Sequence, residues 1–396
     1  MTLALKLPVA NGTLETFELR RAQPFAAPST PPRFDRIAYS AAHVVADPLA
    51  NVDPWFGAAL DWDATIAYRR RLWSLGLGVA EAMDTAQRGM GLDWPTSLEL
   101  VRRTLDAAKD VPGALVASGC GTDHLAFDAD TTVDDVIRAY EEQMEAIEAL
   151  GGKLIVMASR ALARVASGPA DYERVYDRIL MRSKQPVILH WLGEMFDPAL
   201  AGYWGSDQVD QAMATALGVI AANPGKVDGI KISLLDKDQE IAMRRRLPEG
   251  VRMYTGDDFN YAELIAGDGV GAAASQRHSD ALLGIFDAIA PAASGALAAH
   301  AAGDVGRFHA ILAPTVPFSR HVFQAPTRFY KTGIVFLAWI NGHQRHFTMV
   351  GGQQSARSLL HFAEAFRLAD AAGLIEQPEL AVVRMKQLLA LHGVDG

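Results

Sequence analysis

One lysine, Lys231, closes the short apolar run Val227-Asp228-Gly229-Ile230-Lys231, which follows the polar turn Asn223-Pro224-Gly225-Lys226 and precedes a stretch of helix-like composition. A lysine so placed stands where a parallel strand meets its following loop, the position at which barrel enzymes keep reactive groups. In a partly apolar mouth its charged form loses solvation, its pKa falls, and the free amine can attack a carbonyl carbon. The same position also suits a surface lysine at a strand end. Histidines and carboxylates at other strand ends form a second set: His43, Glu81, Asp84 and His190, with His124 and Glu194 beyond them. Gathered at one mouth they could hold a divalent metal, although their spacings match no local metal motif and each also suits a polar pocket or a structural position. Arg160, at a fourth strand end, is a candidate substrate contact or one half of a loop salt bridge. Cys120, in Gly119-Cys120-Gly121, has no defined histidine partner and reads as a small buried thiol.

These residues need elements to hold them. Residues 1–20 read as a β-hairpin with Asn11-Gly12 at the turn, and 21–35 as a proline-rich connector. From Ile37 short apolar strands alternate with helical segments, the pattern of parallel βα units. The candidate strands are Ile37–His43, Gly78–Met83, Ala114–Ser118, Leu154–Met157, Val187–Trp191, Gly229–Ile232, Arg252–Thr255 and Val270–Ala274. Eight such units predict an α/β fold, a closed (β/α)₈ TIM barrel, with an N-terminal β-hairpin and a C-terminal helical extension. No G-x-G-x-x-G follows the first strand, which disfavours an open dinucleotide-binding sheet. After Ser275 the sequence reads as helices only, beginning with Asp280–Ala293. The expected divisions are 1–35, hairpin and connector; 36–295, barrel; and 296–396, helical region.

The chain has 396 residues, half of them hydrophobic, and a formal net charge of -9. Without a basic cluster to follow phosphates, nucleic acid is not an expected partner. The N-terminus lacks a secretory pattern and no run approaches a membrane span, so no membrane partner and a cytoplasmic location are expected. A single cysteine excludes an intrachain disulfide and fits a reducing compartment.

Several segments resemble, in order, the dihydrodipicolinate synthase and N-acetylneuraminate lyase superfamily. Gly229-Ile230-Lys231 is similar to its Schiff-base strand and Gln185-Pro186-Val187-Ile188-Leu189 to its fifth strand. Tyr254-Thr255-Gly256-Asp257-Asp258 and Gly267-Asp268-Gly269-Val270-Gly271-Ala272 resemble its seventh and eighth strands. Val116-Ala117-Ser118-Gly119-Cys120-Gly121 is similar to its third-strand glycine turn, and Asp61-Trp62-Asp63 to the acidic start of its first helix. The resemblance covers roughly residues 36–310. More narrowly, with Trp339-Ile340-Asn341-Gly342-His343-Gln344, the chain resembles an uncharacterised branch of that superfamily, labelled dihydrodipicolinate synthase family protein.

The resemblance implies a barrel with a C-terminal helical bundle, a homo-oligomer, no cofactor, and class I chemistry in which a substrate carbonyl condenses with Lys231. It also exposes departures. His190 replaces the tyrosine that shuttles protons at the end of the fifth strand, and can itself carry protons. Asp84-Thr85 replaces two threonines that hold the substrate's carboxylate; Thr85 can keep that role, whereas Asp84 repels an anion. Met195 matches an arginine that grips an acidic second substrate. These changes imply a neutral small-molecule substrate, a keto-sugar or sugar-derived ketone. The expected catalytic residues are Lys231, His190 and Thr85, and the expected substrate contacts are Asp84, Glu81, Arg160, His43, Gly256 and Asp257. Asp257 and Asp258 also suit a helix N-cap or loop role. The expected reaction is retro-aldol cleavage or dehydration. The alternatives are a metal-dependent isomerase, epimerase or hydro-lyase using His43, Glu81, Asp84 and His190, and a non-catalytic sugar-binding barrel.

Overall fold

The computed structural model describes residues 3–20, 25 and 28–396. Strands β1 (Ala4–Pro8) and β2 (Leu14–Glu18) form the antiparallel hairpin, with Ala4 opposite Glu18 and Pro8 opposite Leu14. Its turn places Gly12 at φ 82°, which a residue without Cβ adopts at no steric cost. Leu5 and Leu7 are buried, and Phe17 meets Phe366 of helix Leu359–Ala371 edge-on at 6.2 Å. The expected connector over 21–35 lies partly outside the described residues; its stretch 28–35 contains neither helix nor strand.

Eight parallel strands then close on themselves: β3 (Ala38–Ala41), β4 (Gly78–Glu81), β5 (Val116–Cys120), β6 (Lys153–Val156), β7 (Val187–Leu192), β8 (Val227–Ser233), β9 (Arg252–Thr255) and β10 (Asp280–Leu283), in the order β10-β3-β4-β5-β6-β7-β8-β9. Side chains alternate across each strand, so every second residue enters the barrel. Tyr39, Ala41, Ala80, Met83, Ala117, Ile155, Ile188, Tyr254 and Leu282 fill that interior as one cluster, and a larger cluster joins the outer strand faces to the helices. Side-chain caps set helix starts around the ring. Asp61 accepts from the Ala64 amide at helix Trp62–Ser74, Asp93 from Thr96 at helix Trp94–Ala108, and Thr132 with Asp135 forms a capping box on helix Val133–Ala149. Among the described residues no helix is long and apolar enough to cross a membrane.

The eighth strand differs from the sequence expectation. Residues 270–274 are not a strand: Gly267, Gly269 and Gly271 take φ of 77°, 70° and 151°, and Val270 is 54% exposed. The strand that closes the barrel is β10, pairing Ala281 with Ala38 and Asp280 with Tyr254. Its Asp-Ala-Leu-Leu is a fully buried four-residue run, which the sequence reading absorbed into a helix over 280–293 because periodicity cannot separate so short an apolar segment from a helix. The chain continues into helices Ile285–Ala288 and Ala290–Ala301, and the expected division at 295/296 falls inside the latter.

The C-terminal region reaches over the mouth through helix Tyr330–Ile340, in which every residue is buried. Its first residue, Tyr330, stacks on Phe323 at 4.3 Å and meets Phe196 of the loop after β7 edge-on at 6.0 Å. Amide hydrogen exchange checks the eighth strand: the Ala281 amide, bonded to Ile37 O at 2.8 Å, should exchange slowly and 268–274 fast, and the reverse ranking would contradict this topology.

Candidate functional site

His190 on β7 and Lys231 on β8 are register partners, and Lys231 pairs likewise with Tyr254 on β9. Register partners share a face, and Ile188 and Tyr254 belong to the interior cluster, so His190 and Lys231 point inward near the C-terminal end of the barrel. Lys231 is 6% exposed. Its amine forms no hydrogen bond or ion pair with the described residues, and burial pulls its pKa down against the opposing charges of Asp258 and Asp84. Burial, and then the neighbouring Lys231 charge, hold His190 well below the ordinary imidazole range. His190 is therefore a neutral ring at pH 7, with Nε2 3.3 Å from Ser233 Oγ and Nδ1 buried without a partner.

The turn after β4 brings in the next groups. Ala82, at φ 52°, and Gln87, at φ 65°, bracket the 3₁₀ turn Asp84–Ala86. Thr85 Oγ1 shares a 2.7 Å hydrogen bond with the Tyr330 hydroxyl, so the C-terminal helix touches the expected catalytic threonine directly. Asp84 and His190 line one cavity of about 100 Å³ together with Arg88, Thr122, Asp123, Met157, Arg160 and Asp197, among others. Lys231 is not in this lining; Asp84 and His190, whose surroundings it shares, are. Arg160 is on the cavity rim as expected, and its guanidinium is ion-paired to Asp197.

Three residues at the mouth are not among the expected site residues. Asp258 is 3% exposed, its Oδ1 accepts the Ile285 amide at 2.9 Å, and burial pushes its carboxyl up to about 7, against the pull of Lys231. Tyr330 is the second. The third, Lys331, is 2% exposed with Met90 Sδ 3.2 Å and the Tyr330 ring centroid 5.3 Å from its amine, and burial lowers it to about 8 against the nearby charge of Asp84. A tyrosine and a lysine opening an otherwise apolar helical segment were the available signal for the last two.

A family model described as Protein of unknown function (DUF993) matches residues 5–394. The chain belongs to this family. No curated protein matches this DUF993 member. Among solved structures it is similar to YagE, a prophage protein of the dihydrodipicolinic acid synthase family from E. coli solved with pyruvate, at 14% identity and TM-score 0.61 over 91% of this chain and 100% of that one. It is similar to dihydrodipicolinate synthase from Bacillus clausii at 14% identity and TM-score 0.60, covering 84% and 96% of the two chains. A monomeric dihydrodipicolinate synthase variant is similar at 14% identity and TM-score 0.60, covering 86% and 97%. At these identities the likeness is one of fold.

The remaining expected residues divide. Glu81 is not a mouth residue. It faces outward from β4, where Arg69 grips its two oxygens at 2.9 Å each and Thr104 donates at 2.6 Å, both partners with helices of the outer ring. Its Oε1 also accepts the Ala82 amide at 2.8 Å, so it anchors the turn that presents Asp84. His43 is fully buried, its Nδ1 2.9 Å from Asp287 and its ring 4.4 Å from Tyr68 of the first outer helix, and it lines no cavity found beside the lysine. The alternative metal set is therefore not assembled: His43 and Glu81 are held elsewhere, and among the described residues no three His, Cys, Asp or Glu side chains gather closely enough to hold an ion. Asp257 accepts from the Phe259 and Asn260 amides and from Asn260 Nδ2, a loop-closing role, while its neighbour Asp258 is the carboxyl beside the lysine. Gly256 lies against β8, where a Cβ would come within 2.3 Å of Ser233 Oγ, 2.6 Å of Ile232 O and 2.7 Å of Lys231 Cε.

Outside the site, Met195 and Glu194 line a second cavity. His124 bonds Gln143 and Glu142, and His343 bonds Glu376. Burial pushes the Cys120 thiol up to about 12, which suits an inert core group.

Asp258 and the buried Glu240, the latter raised to about 8, both stand above the unfolded carboxyl value of about 4 and so take up protons on folding. Their contribution to stability is fully present below the unfolded value and is lost as pH rises through about 7 and about 8. Asp258→Asn should flatten the fall in melting temperature between about pH 4 and about pH 7, and Glu240→Gln that between about pH 4 and about pH 8; slopes identical to wild type would contradict this linkage.

Proposed function

We propose that the chain is a class I lyase that forms an imine at Lys231 and carries out retro-aldol cleavage or dehydration of a small carbonyl compound, a keto-sugar or sugar-derived ketone. The observation that carries the reading is a lysine amine buried inside the barrel mouth with neither hydrogen bond nor ion pair to any described residue. Its neutral form has a free lone pair, and the desolvation that would penalise an ammonium favours attack on a carbonyl. The carbinolamine then loses water with a proton from a neighbouring acid. Asp258, at about 7, is protonated for a large share of molecules at neutral pH and can give that proton. The neutral His190 can accept one. The resulting iminium draws in the electron pair of the adjacent C–C bond in cleavage, or of the adjacent C–H bond in dehydration; the enamine is then reprotonated, or expels the β-hydroxyl with a proton as water, and the imine is hydrolysed. Thr85 and Tyr330, joined by their hydrogen bond, supply hydroxyls at the same end of the barrel.

The cavity's charges support a neutral substrate. Arg88 is fully engaged with Asp123 and Gln143, the Arg160 charge is paired with Asp197 through Nε, and Met195 lies in another cavity. We also propose a homo-oligomer, because the loop before the first outer helix presents Leu49, Trp55 and Phe56 at 92%, 85% and 91% exposure, an apolar patch that water alone covers at a cost.

Borohydride reduction in the presence of keto-sugars and 2-oxo acids, read by intact mass and peptide mapping, should leave an adduct on the Lys231 peptide, and Lys231→Ala should abolish adduct and turnover together. Full turnover by that variant, or an adduct on Lys331 instead, would overturn the reading. Light scattering should give a mass at least twice that of the chain, falling on Trp55→Ser with Phe56→Ser; a wild-type monomer removes the oligomer proposal.

A further inference from the structure

We propose that Asp84 is the base that takes the proton from a substrate hydroxyl during carbon–carbon cleavage, so that the substrate carries a hydroxyl on the carbon beyond the one next to the imine. This rests on the Lys231 reading and adds a catalytic residue to it.

Three carboxylates line the mouth cavity, and two are engaged. Asp123 accepts from Arg88 and Gln143, and Asp197 from Arg160 and the Ala199 amide. Asp84 alone of the three accepts no hydrogen bond and makes no ion pair with the described residues. A carboxylate with open lone pairs facing a cavity is equipped to receive a proton. It also faces the right groups. The Asp84 charge acts on the Lys231 amine and on the Lys331 amine, the latter 3.2 Å from Met90 Sδ and 5.3 Å from the Tyr330 ring centroid. A substrate hydroxyl in the cavity can donate to Asp84, whose half-buried carboxylate the described residues leave without a hydrogen bond.

The backbone is arranged to hold Asp84 there. Ala82 takes φ 52°, a left-handed value that a residue with a Cβ seldom adopts, and its amide is fixed by Glu81, itself clamped by Arg69 and Thr104. On the far side Gln87, also left-handed at φ 65°, donates to Val350 O at 2.6 Å. The turn that carries Asp84 is thus fixed at both ends, while the Asp84 side chain itself is left free.

The step balances. The iminium on Lys231 withdraws electrons; the hydroxyl proton passes to Asp84; the carbon–carbon bond breaks with its electron pair moving to the enamine; and the hydroxyl carbon leaves as an aldehyde. The enamine carbon then regains a proton, and water hydrolyses the imine to free the ketone and Lys231.

The test separates this role from imine formation. Hydroxyacetone and dihydroxyacetone serve as probes for borohydride trapping and for exchange of their α-hydrogens with D₂O, and fructose and xylulose for cleavage. Neither trapping nor exchange requires loss of a hydroxyl proton. Asp84→Asn should therefore still trap and exchange, while cleavage falls by about a hundredfold or more relative to both, and Asp84→Glu should restore part of it. Cleavage at the wild-type rate in Asp84→Asn overturns the inference. So does loss of trapping and exchange in parallel with cleavage, which would make Asp84 a support for the lysine alone. A wild type that traps none of the probes overturns the Lys231 reading instead.

Discussion

An amine buried away from bulk solvent, with no counter-ion among the described residues, governs this structure. Lys231 lies inside a closed barrel, 6% exposed, with two carboxyl groups near enough to act on it and neither close enough to pair with it. An ammonium at that place would forfeit its hydration without recovering it in an ion pair, so the neutral form gains. The neighbours follow from the same constraint. Asp258 is raised by burial to about 7, and His190 is held neutral, so the inner layer can lose most of its charge together. Gly256 belongs to this arrangement too, because a side chain there would occupy the space of the lysine stem.

The outer shell keeps that layer in place with fully paired groups. The buried Arg69–Glu81 pair and its Thr104 partner sit between β4 and the first two outer helices, and a half-broken pair of this kind typically costs about 3–5 kcal/mol. Glu81 thereby fixes the turn that turns Asp84 and Thr85 toward the mouth. On the opposite side the C-terminal helix supplies Tyr330 to Thr85 and Lys331 to the surroundings of Asp84, so the barrel and the helical region build one site between them.

How much of this the sequence displayed depends on how local each feature is. The hairpin, seven of the eight barrel strands and the lysine at the end of the sixth were legible, because strand length, turn residues and apolar runs are properties of neighbouring residues. The eighth strand was not: Asp280–Leu283 is buried on both faces and leaves no alternation, while the glycine-rich stretch ahead of it imitated the expected motif. Asp257 and Asp258 are not distinguished by the sequence, because a strand-end loop does not announce which of two adjacent carboxylates turns inward. Glu81 and His43 were placed at the mouth on strand position alone. The structure turns Glu81 outward to Arg69, and pairs His43 with Asp287, a residue 244 positions away in the chain.

By itself the sequence determined the repeating strand–helix units, hence a barrel, and the presence of one lysine where such barrels do chemistry; periodicity and turn propensity act over a few residues and need no partner. Only the tertiary structure decided which charges face that lysine, which carboxylate stands open and which is capped, and that a helix some hundred residues downstream completes the mouth. Those outcomes depend on burial and on pairing across the fold, and desolvation is a property of the enclosed space rather than of any residue within it.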